Sequence, residues 1–177
     1  MGGGWVAECR CRPGARLTRT CPKCGAFFTG AFDHLGLLAQ RARRLTDAFE
    51  AHSAALAIDE RLGERQRAAS SLRQLGNVLA AMRDDSGALD CYGRALEHAA
   101  AAGDERCYAL TQRRMADVEL RHSRWAEALT LYTESMQRLE RIGANEAERG
   151  ARRTEMLLAQ ARLGNTVPTL GAEPDSV

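Results

Sequence analysis

Four cysteines lie within the first 24 residues, in two closely spaced pairs: Cys9 with Cys11, and Cys21 with Cys24. Zinc in structural sites prefers four ligands arranged as a tetrahedron, and two cysteine pairs on neighbouring turns can supply them as thiolates. Nine residues separate the two pairs. The residue types and their spacing therefore predict a structural zinc site at this end of the chain.

The second pair lies in Cys21-Pro22-Lys23-Cys24-Gly25, which resembles a zinc-ribbon knuckle. In such a knuckle the proline shapes the turn, and the glycine lets backbone N–H groups point at the sulfurs. Pro13-Gly14 predicts a turn between short extended stretches at residues 5–11 and 17–21, consistent with a small hairpin. A head of about 30 residues buries too little apolar surface to fold alone, so zinc binding would supply its folding free energy. We assign residues 1–28 to this head.

Other uses of the same cysteines remain open: a pair of disulfides, a redox switch and an iron–sulfur cluster. Disulfides are typical of exported proteins, and the first residues lack the charged-then-apolar order of a signal peptide. The Cys-x-Cys and Cys-x-x-Cys arrangement is similar to that of redox-switched bacterial holdase chaperones, whose ligands are more widely separated. Zinc is favoured over these alternatives. Because four thiolates leave no open position on zinc, the site predicts no catalysis.

The charge of the chain is divided unevenly. Its formal net charge is +2, but residues 1–30 carry +4 and the remainder carries −2. A basic zinc ribbon can lie against phosphates, so contact with nucleic acid is one hypothesis for the head. No aromatic residue stands between its arginines to stack on bases. Docking to another protein is therefore the favoured role of the head.

The rest of the chain repeats with a period of about 40 residues. The matching positions are Ala48, Ala88 and Ala128; His52, Tyr92 and Tyr132; Leu56, Leu96 and Met136; and Gly63, Gly103 and Gly143. Within each segment the apolar residues follow the spacing i, i+1, i+4 and i+8, which predicts an amphipathic helix. Each closing glycine predicts a left-handed helix cap, and Asp104 after the second glycine predicts a cap for the next helix.

A second helical stretch precedes each of these segments and carries a small residue at Gly36, Gly76 or Ala116. Small side chains at paired positions let two antiparallel helices approach closely. The pattern resembles the tetratricopeptide repeat family, whose Leu-Gly pair and aromatic position match Leu75-Gly76 and Tyr92. Its usual period is about 34 residues. The longer period of this chain is similar to that of the longer-helix version found in Leu-Gly-Asn-repeat polarity scaffolds and several bacterial regulators.

The resemblance covers residues 29–164 and implies an all-α solenoid of helical hairpins. It implies three repeats and a capping helix over residues 145–163, hence about seven helices. Pro168 cannot lie inside a helix, so the array is expected to stop there. Residues 165–177 predict a disordered tail.

Family resemblance also implies a concave groove, lined by the first helix of each pair, that holds a peptide. The residues placed there are Asp33, Arg73, Asn77, Arg113, Arg114, Asp117 and Arg153. Arginines recur in this set one repeat apart, and guanidinium groups bind carboxylates through two parallel hydrogen bonds, so an acidic partner would suit them. The alternative is a solvated helix face with local ion pairs such as Arg113 and Asp117.

Composition and motifs argue against a membrane protein and against an enzyme. The 177 residues are 45% hydrophobic and 27% charged, and no apolar run approaches the ~18 residues of a membrane span. The four histidines are scattered, with no His-Glu-x-x-His motif and no phosphate-binding glycine loop. The sequence therefore predicts a cytoplasmic, non-catalytic adaptor that binds a peptide in its groove, with the zinc ribbon as a second contact. The alternative is a nucleic-acid-associated regulator that uses the basic ribbon for phosphate contact.

Overall fold

The computed structural model of the chain describes residues 22–145 and Gly164. Within these residues the secondary structure is entirely α-helical, as the sequence predicts. The six helices are α1 (Pro22–Arg41), α2 (Leu45–Leu62), α3 (Arg65–Ala81), α4 (Asp85–Ala102), α5 (Glu105–Arg121) and α6 (Trp125–Arg141). None of them is both long and apolar enough to cross a membrane.

Helix α1 begins at Pro22, seven residues before the predicted start of the helical array. Proline suits a first helical position because the N–H that it lacks would have no partner within the helix. Cys24, expected in a turn, therefore lies in the first turn of α1. The predicted hairpin within residues 1–21 and the predicted tail over 165–177 lie outside the described residues. So does the predicted capping helix, except for Asn145 at its start.

The chain divides into two compact units, residues 1–107 and 108–177. In the first unit α1 packs against α2, α2 against α3, and α3 against α4. In the second unit, the part of α5 from Tyr108 onward packs against α6. The Ser135 hydroxyl of α6 donates a hydrogen bond of 2.7 Å to the carbonyl of Ala109. The predicted pairing of consecutive helices is thus present in each unit.

The small residues of the first helices lie where the predicted close approach requires them. A Cβ added to Gly36 would overlap the ring of His52, and one added to Gly76 would overlap the ring of Tyr92. Both rings are buried. In these two pairs, the aromatic position of the second helix therefore packs directly onto the glycine of the first helix.

The second helix of each pair is followed by the same kind of turn. Gly63, Gly103 and Gly143 have φ values of 70°, 67° and 65°, which confirms the predicted left-handed caps. Beyond Gly103, the N–H of Asp104 donates to the carbonyl of Ala99 at 2.9 Å, the bond of a Schellman motif. The Oδ1 atom of Asp104 accepts the N–H of Cys107 at 2.8 Å, which confirms the predicted helix cap.

The turns inside the helix pairs also use left-handed residues, although none is a glycine. Arg43, Arg83 and Ser123 have φ values of 60°, 68° and 59°. After Arg83, the N–H of Asp84 donates to the carbonyl of Leu79 at 3.0 Å, so the bonding matches that at the glycines. Left-handed residues consequently recur at even intervals, twice in each repeat, at positions 43, 63, 83, 103, 123 and 143.

Candidate functional site

Arg73 and Asn77 lie one helical turn apart on α3, and both are half-buried. The Asn77 side chain accepts a hydrogen bond of 3.0 Å from the Tyr92 hydroxyl and donates one of 2.8 Å to Oε1 of Gln74. An asparagine amide offers two donors and two acceptor lone pairs, so these two bonds use half of its capacity. Asn77 is therefore held in one orientation and retains bonding capacity for a ligand.

The guanidinium of Arg73 is less well satisfied. Its Nε atom is buried and has no hydrogen-bond partner among the residues that the structure describes. A buried donor without a partner costs roughly 1–3 kcal/mol, and more when the group is charged. An acceptor that reached this nitrogen would recover that free energy, and a carboxylate is the acceptor that a guanidinium prefers.

Asp33, which the resemblance places in the groove, is half-buried and contacts a buried polar cluster. Its Oδ1 atom lies 3.3 Å from Nδ1 of the buried His52 and 3.4 Å from the Ser71 hydroxyl. Ser71 is buried on α3 and also lies 3.3 Å from Oδ2 of Asp59 on α2. The Asp33 carboxylate thus links α1 to both α2 and α3.

Asp59 is the most deeply placed charge of this cluster. It is fully buried, and its Oδ1 atom lies 3.7 Å from Nε of Arg67, whose NH1 group donates to the Thr29 hydroxyl at 3.2 Å. Burial, together with the nearby Asp33 carboxylate, raises the pKa of Asp59 to about 6, against the opposing effect of the Arg67 charge. The ionised form of Asp59 is therefore costly in the folded state.

The sequence analysis did not identify the polar cluster of Thr29, Asp33, His52, Asp59, Arg67 and Ser71. One signal was present: the positions one and two repeats after Asp59 are Ala99 and Leu139, both buried. A carboxylate at a position that is apolar in the other repeats marks a buried charge that needs its own partners. Within this cluster, Nε2 of His52 and Oδ1 of Asp59 have no hydrogen-bond partner among the described residues.

The second unit repeats part of the α3–α4 arrangement. Asp117 stands one repeat after Asn77, and its Oδ1 atom accepts a hydrogen bond of 2.7 Å from the Tyr132 hydroxyl. Its Oδ2 atom lies 3.3 Å from NH1 of Arg114, one helical turn earlier. Arg113 is half-buried on the same helix. A tyrosine hydroxyl bonded to the preceding helix is thus common to both units.

Several predicted site residues lie outside the described part of the chain: Cys9, Cys11, Cys21 and Arg153. Cys24 is within α1, but only its backbone is described. In the described residues, no group of three or more His, Cys, Asp or Glu side chains is arranged to hold a metal ion. The four-cysteine zinc site consequently remains a prediction from the sequence.

Comparison with known proteins addresses the helical array. Residues 29–101 match the family model of the tetratricopeptide repeat. The chain is also similar to the crystal structure of BtubC (BKLC) from P. vanneervenii, with a TM-score of 0.70 over 91% of this chain and 72% of the other. The sequence identity is 17%, so this likeness shows a helical-repeat fold and nothing further. No curated protein sequence matches the chain.

Proposed function

We propose that the protein is a non-catalytic, cytoplasmic adaptor whose helical repeats bind a peptide segment of a partner protein. Tetratricopeptide repeats commonly mediate protein–protein interaction, and residues 29–101 match that family. The observation that carries the proposal is the pairing of Arg73, whose buried Nε has no partner in the described residues, with an Asn77 fixed by Tyr92. The two residues place on one helix face a cation and a side-chain amide that can hydrogen-bond to the backbone of a peptide.

The chemistry of the two side chains defines the ligand. Arg73 would bind a carboxylate of the peptide, either a side chain or a terminus, through charge-assisted hydrogen bonds. Asn77 would use its remaining donor and acceptor capacity on the peptide backbone. Arg113 and Arg114 of the second unit, and Arg153 near the end of the chain, would add contacts to an acidic partner. Asp33 and Asp117 act in this proposal by orienting the groove helices.

The double substitution Arg73→Glu with Arg113→Glu should abolish capture of partner proteins from a cell lysate. Reversing the charge replaces attraction for a carboxylate with repulsion, and it leaves helix-forming residues at both positions. Affinity purification followed by mass spectrometry measures the captured proteins, and circular dichroism measures helicity. The matched control is Arg43→Glu with Arg83→Glu, the same charge change at two exposed turn positions one repeat apart. Equal capture by the groove variant and by the wild type would contradict the proposal.

The proposed adaptor has a second contact surface in its head. There Cys9, Cys11, Cys21 and Cys24 would hold one structural zinc ion, supported by the two cysteine pairs and the knuckle-like sequence around Pro22. The basic charge of the head would then serve an interaction with a partner.

Protein purified without added metal should contain about one equivalent of zinc, because four thiolates bind it tightly. Elemental analysis of the purified chain measures the content. Cys21→Ser should lose the metal, whereas Cys91→Ser, at a half-buried position on α4, should retain it. A wild-type content below half an equivalent would rule out a stable zinc site.

The charge of +4 over residues 1–30 favours one alternative, a nucleic-acid-associated regulator. A mobility shift with nucleic acid that weakens as salt is raised would support this alternative. No shift at low salt would leave protein partners as the ligands of the head.

A further inference from the structure

The outer face of α1 carries two leucines that are largely exposed. Leu35 is 56% exposed and Leu38 is 58% exposed. The residues one repeat later, on α3, are Leu75 and Val78, whose exposed fractions are 4% and 0%. The same register position is thus apolar in both helices, but it is covered in only one of them.

The contacts of α3 show the role of the equivalent face in an internal repeat. Val78 packs against Ala39 of α1 and against Ala48 and Leu45 of α2. Leu75 belongs to a cluster that includes Leu56 of α2. The face is therefore a stacking face, which in α3 is covered by the helix pair that precedes it in the chain. We call the matching surface of α1, at Leu35 and Leu38, the open stacking face.

In repeat arrays the end face is usually polar, because it meets water instead of a neighbouring repeat. Among the described residues no helix precedes α1. The open stacking face nevertheless has the apolar residues of an internal repeat. Two leucines at adjacent turns of one helix face, both more than half exposed, therefore lie where a repeat array usually has polar residues.

We propose that residues 1–21 of the same chain fold back and cover the open stacking face. Helix α2 covers α3 and spans Leu45–Leu62, so the matching stretch one repeat earlier is residues 5–22, which ends at the first residue of α1. That stretch contains Trp5, Val6 and Leu17, which are apolar residues suited to contact two leucines.

The length of the segment permits this placement. The segment joins α1 at Pro22, and Leu38 lies further along the helix by about 24 Å, at 1.5 Å of rise for each residue. A fully extended chain of this length can span roughly 70 Å, so it can reach both leucines and still form a compact turn. Direct linkage also gives the segment an effective concentration of order millimolar, which favours it over a second copy of the protein.

The placement can be tested with the photo-crosslinking residue p-benzoylphenylalanine in the full-length chain. Introduced in place of Leu38, it should give a product of monomer mass in which peptides from residues 1–21 are joined to α1. The control position is Met82, which immediately follows α3 and is 48% exposed. The yield of this product should be at least tenfold higher from position 38 than from position 82. Equal yields, or a product of twice the mass, would overturn the proposal.

A pair of serine substitutions provides a second test. In the full-length chain, Leu35→Ser with Leu38→Ser should speed tryptic cleavage at the head by about tenfold and should lower the Tm by several degrees. Cleavage is monitored after Arg10, Arg16 and Arg19, because the bond between Arg12 and Pro13 resists trypsin. If the leucines face only water, the substitutions should leave both values unchanged or raise the Tm, and that result would also overturn the proposal. Met82→Ser controls for the loss of an exposed apolar side chain.

Discussion

Tyr92→Ala should lower the free energy of unfolding by about 3–5 kcal/mol, because it removes a large buried ring and leaves a cavity. The Tyr92 ring is buried at the crossing of α3 and α4, directly on Gly76. Its hydroxyl donates a hydrogen bond of 3.0 Å to Oδ1 of Asn77. Tyr92 therefore contributes both by packing and by hydrogen bonding, and a second substitution can measure the two contributions separately.

Tyr92→Phe keeps the ring and removes only the hydroxyl, so its cost should be about 1 kcal/mol. Urea unfolding followed by circular dichroism measures both variants. Tyr108→Ala is the matched control. Tyr108 is only half-buried, beneath the Arg138 guanidinium at 4.0 Å from the ring centroid, so less apolar contact is lost there. Equal costs for Tyr92→Phe and Tyr92→Ala would contradict the packing role of the ring.

The same pair of variants bears on the proposed groove. Without the hydroxyl of Tyr92, Asn77 keeps its bond to Gln74 but loses the partner that fixes its carbonyl oxygen. Tyr92→Phe should therefore remain folded while capturing less of a peptide partner than the wild type. Stability and ligand capture are thus measured on one protein that differs by a single oxygen atom.

Asp59→Asn should stabilise the protein at pH 7–8, by an amount on the order of 1–2 kcal/mol. Burial raises the pKa of Asp59 from its ordinary value of 3.8 to about 6 in the folded protein. The folded state consequently binds this proton more tightly than the unfolded chain does. An amide at this position has no charge to bury, and its oxygen can still accept the hydrogen bond of Ser71.

The direction of the pH dependence follows from the raised pKa. The favourable contribution of protonated Asp59 is complete below pH 3.8, and it is lost as the pH rises through about 6. Asp59→Asn should flatten this part of the stability profile, which urea unfolding at a series of pH values from 4 to 8 would measure. Glu50→Gln removes the same charge from an exposed position on α2 and should leave the profile nearly unchanged. A variant profile with the wild-type slope would show that Asp59 does not titrate in this range.

The features that sequence analysis predicted correctly depend on local patterns. The spacing of the repeat predicts paired helices, the closing glycines predict the left-handed caps, and Asp104 predicts a helix start. Each of these depends on a few neighbouring residues. By contrast, the left-handed backbone of Arg43 and Arg83 could not be predicted from their residue type, because arginine has no preference for that conformation.

Contacts between helices show where register alone is insufficient. Asp33 stands one repeat before Arg73, at a position that the family resemblance assigns to the groove. In this repeat the aromatic position is His52, and its ring lies beside the Asp33 carboxylate, a contact that the register does not predict. Asp59 is on α2 and its partners come from α1 and α3, so the buried cluster depends on tertiary packing that a linear pattern does not contain. Predicting such contacts requires the relative placement of α1, α2 and α3.

The left-handed residues that recur twice in each repeat constrain how a chain of this kind can change in length. One residue inserted within a helix would rotate everything after it by about 100° and would move the next apolar stripe off its partner. Inserting or deleting one whole repeat keeps every cap, turn and stripe in phase. Growth and shortening of the array are therefore expected in units of one helix pair, through duplication or loss of the corresponding stretch of gene.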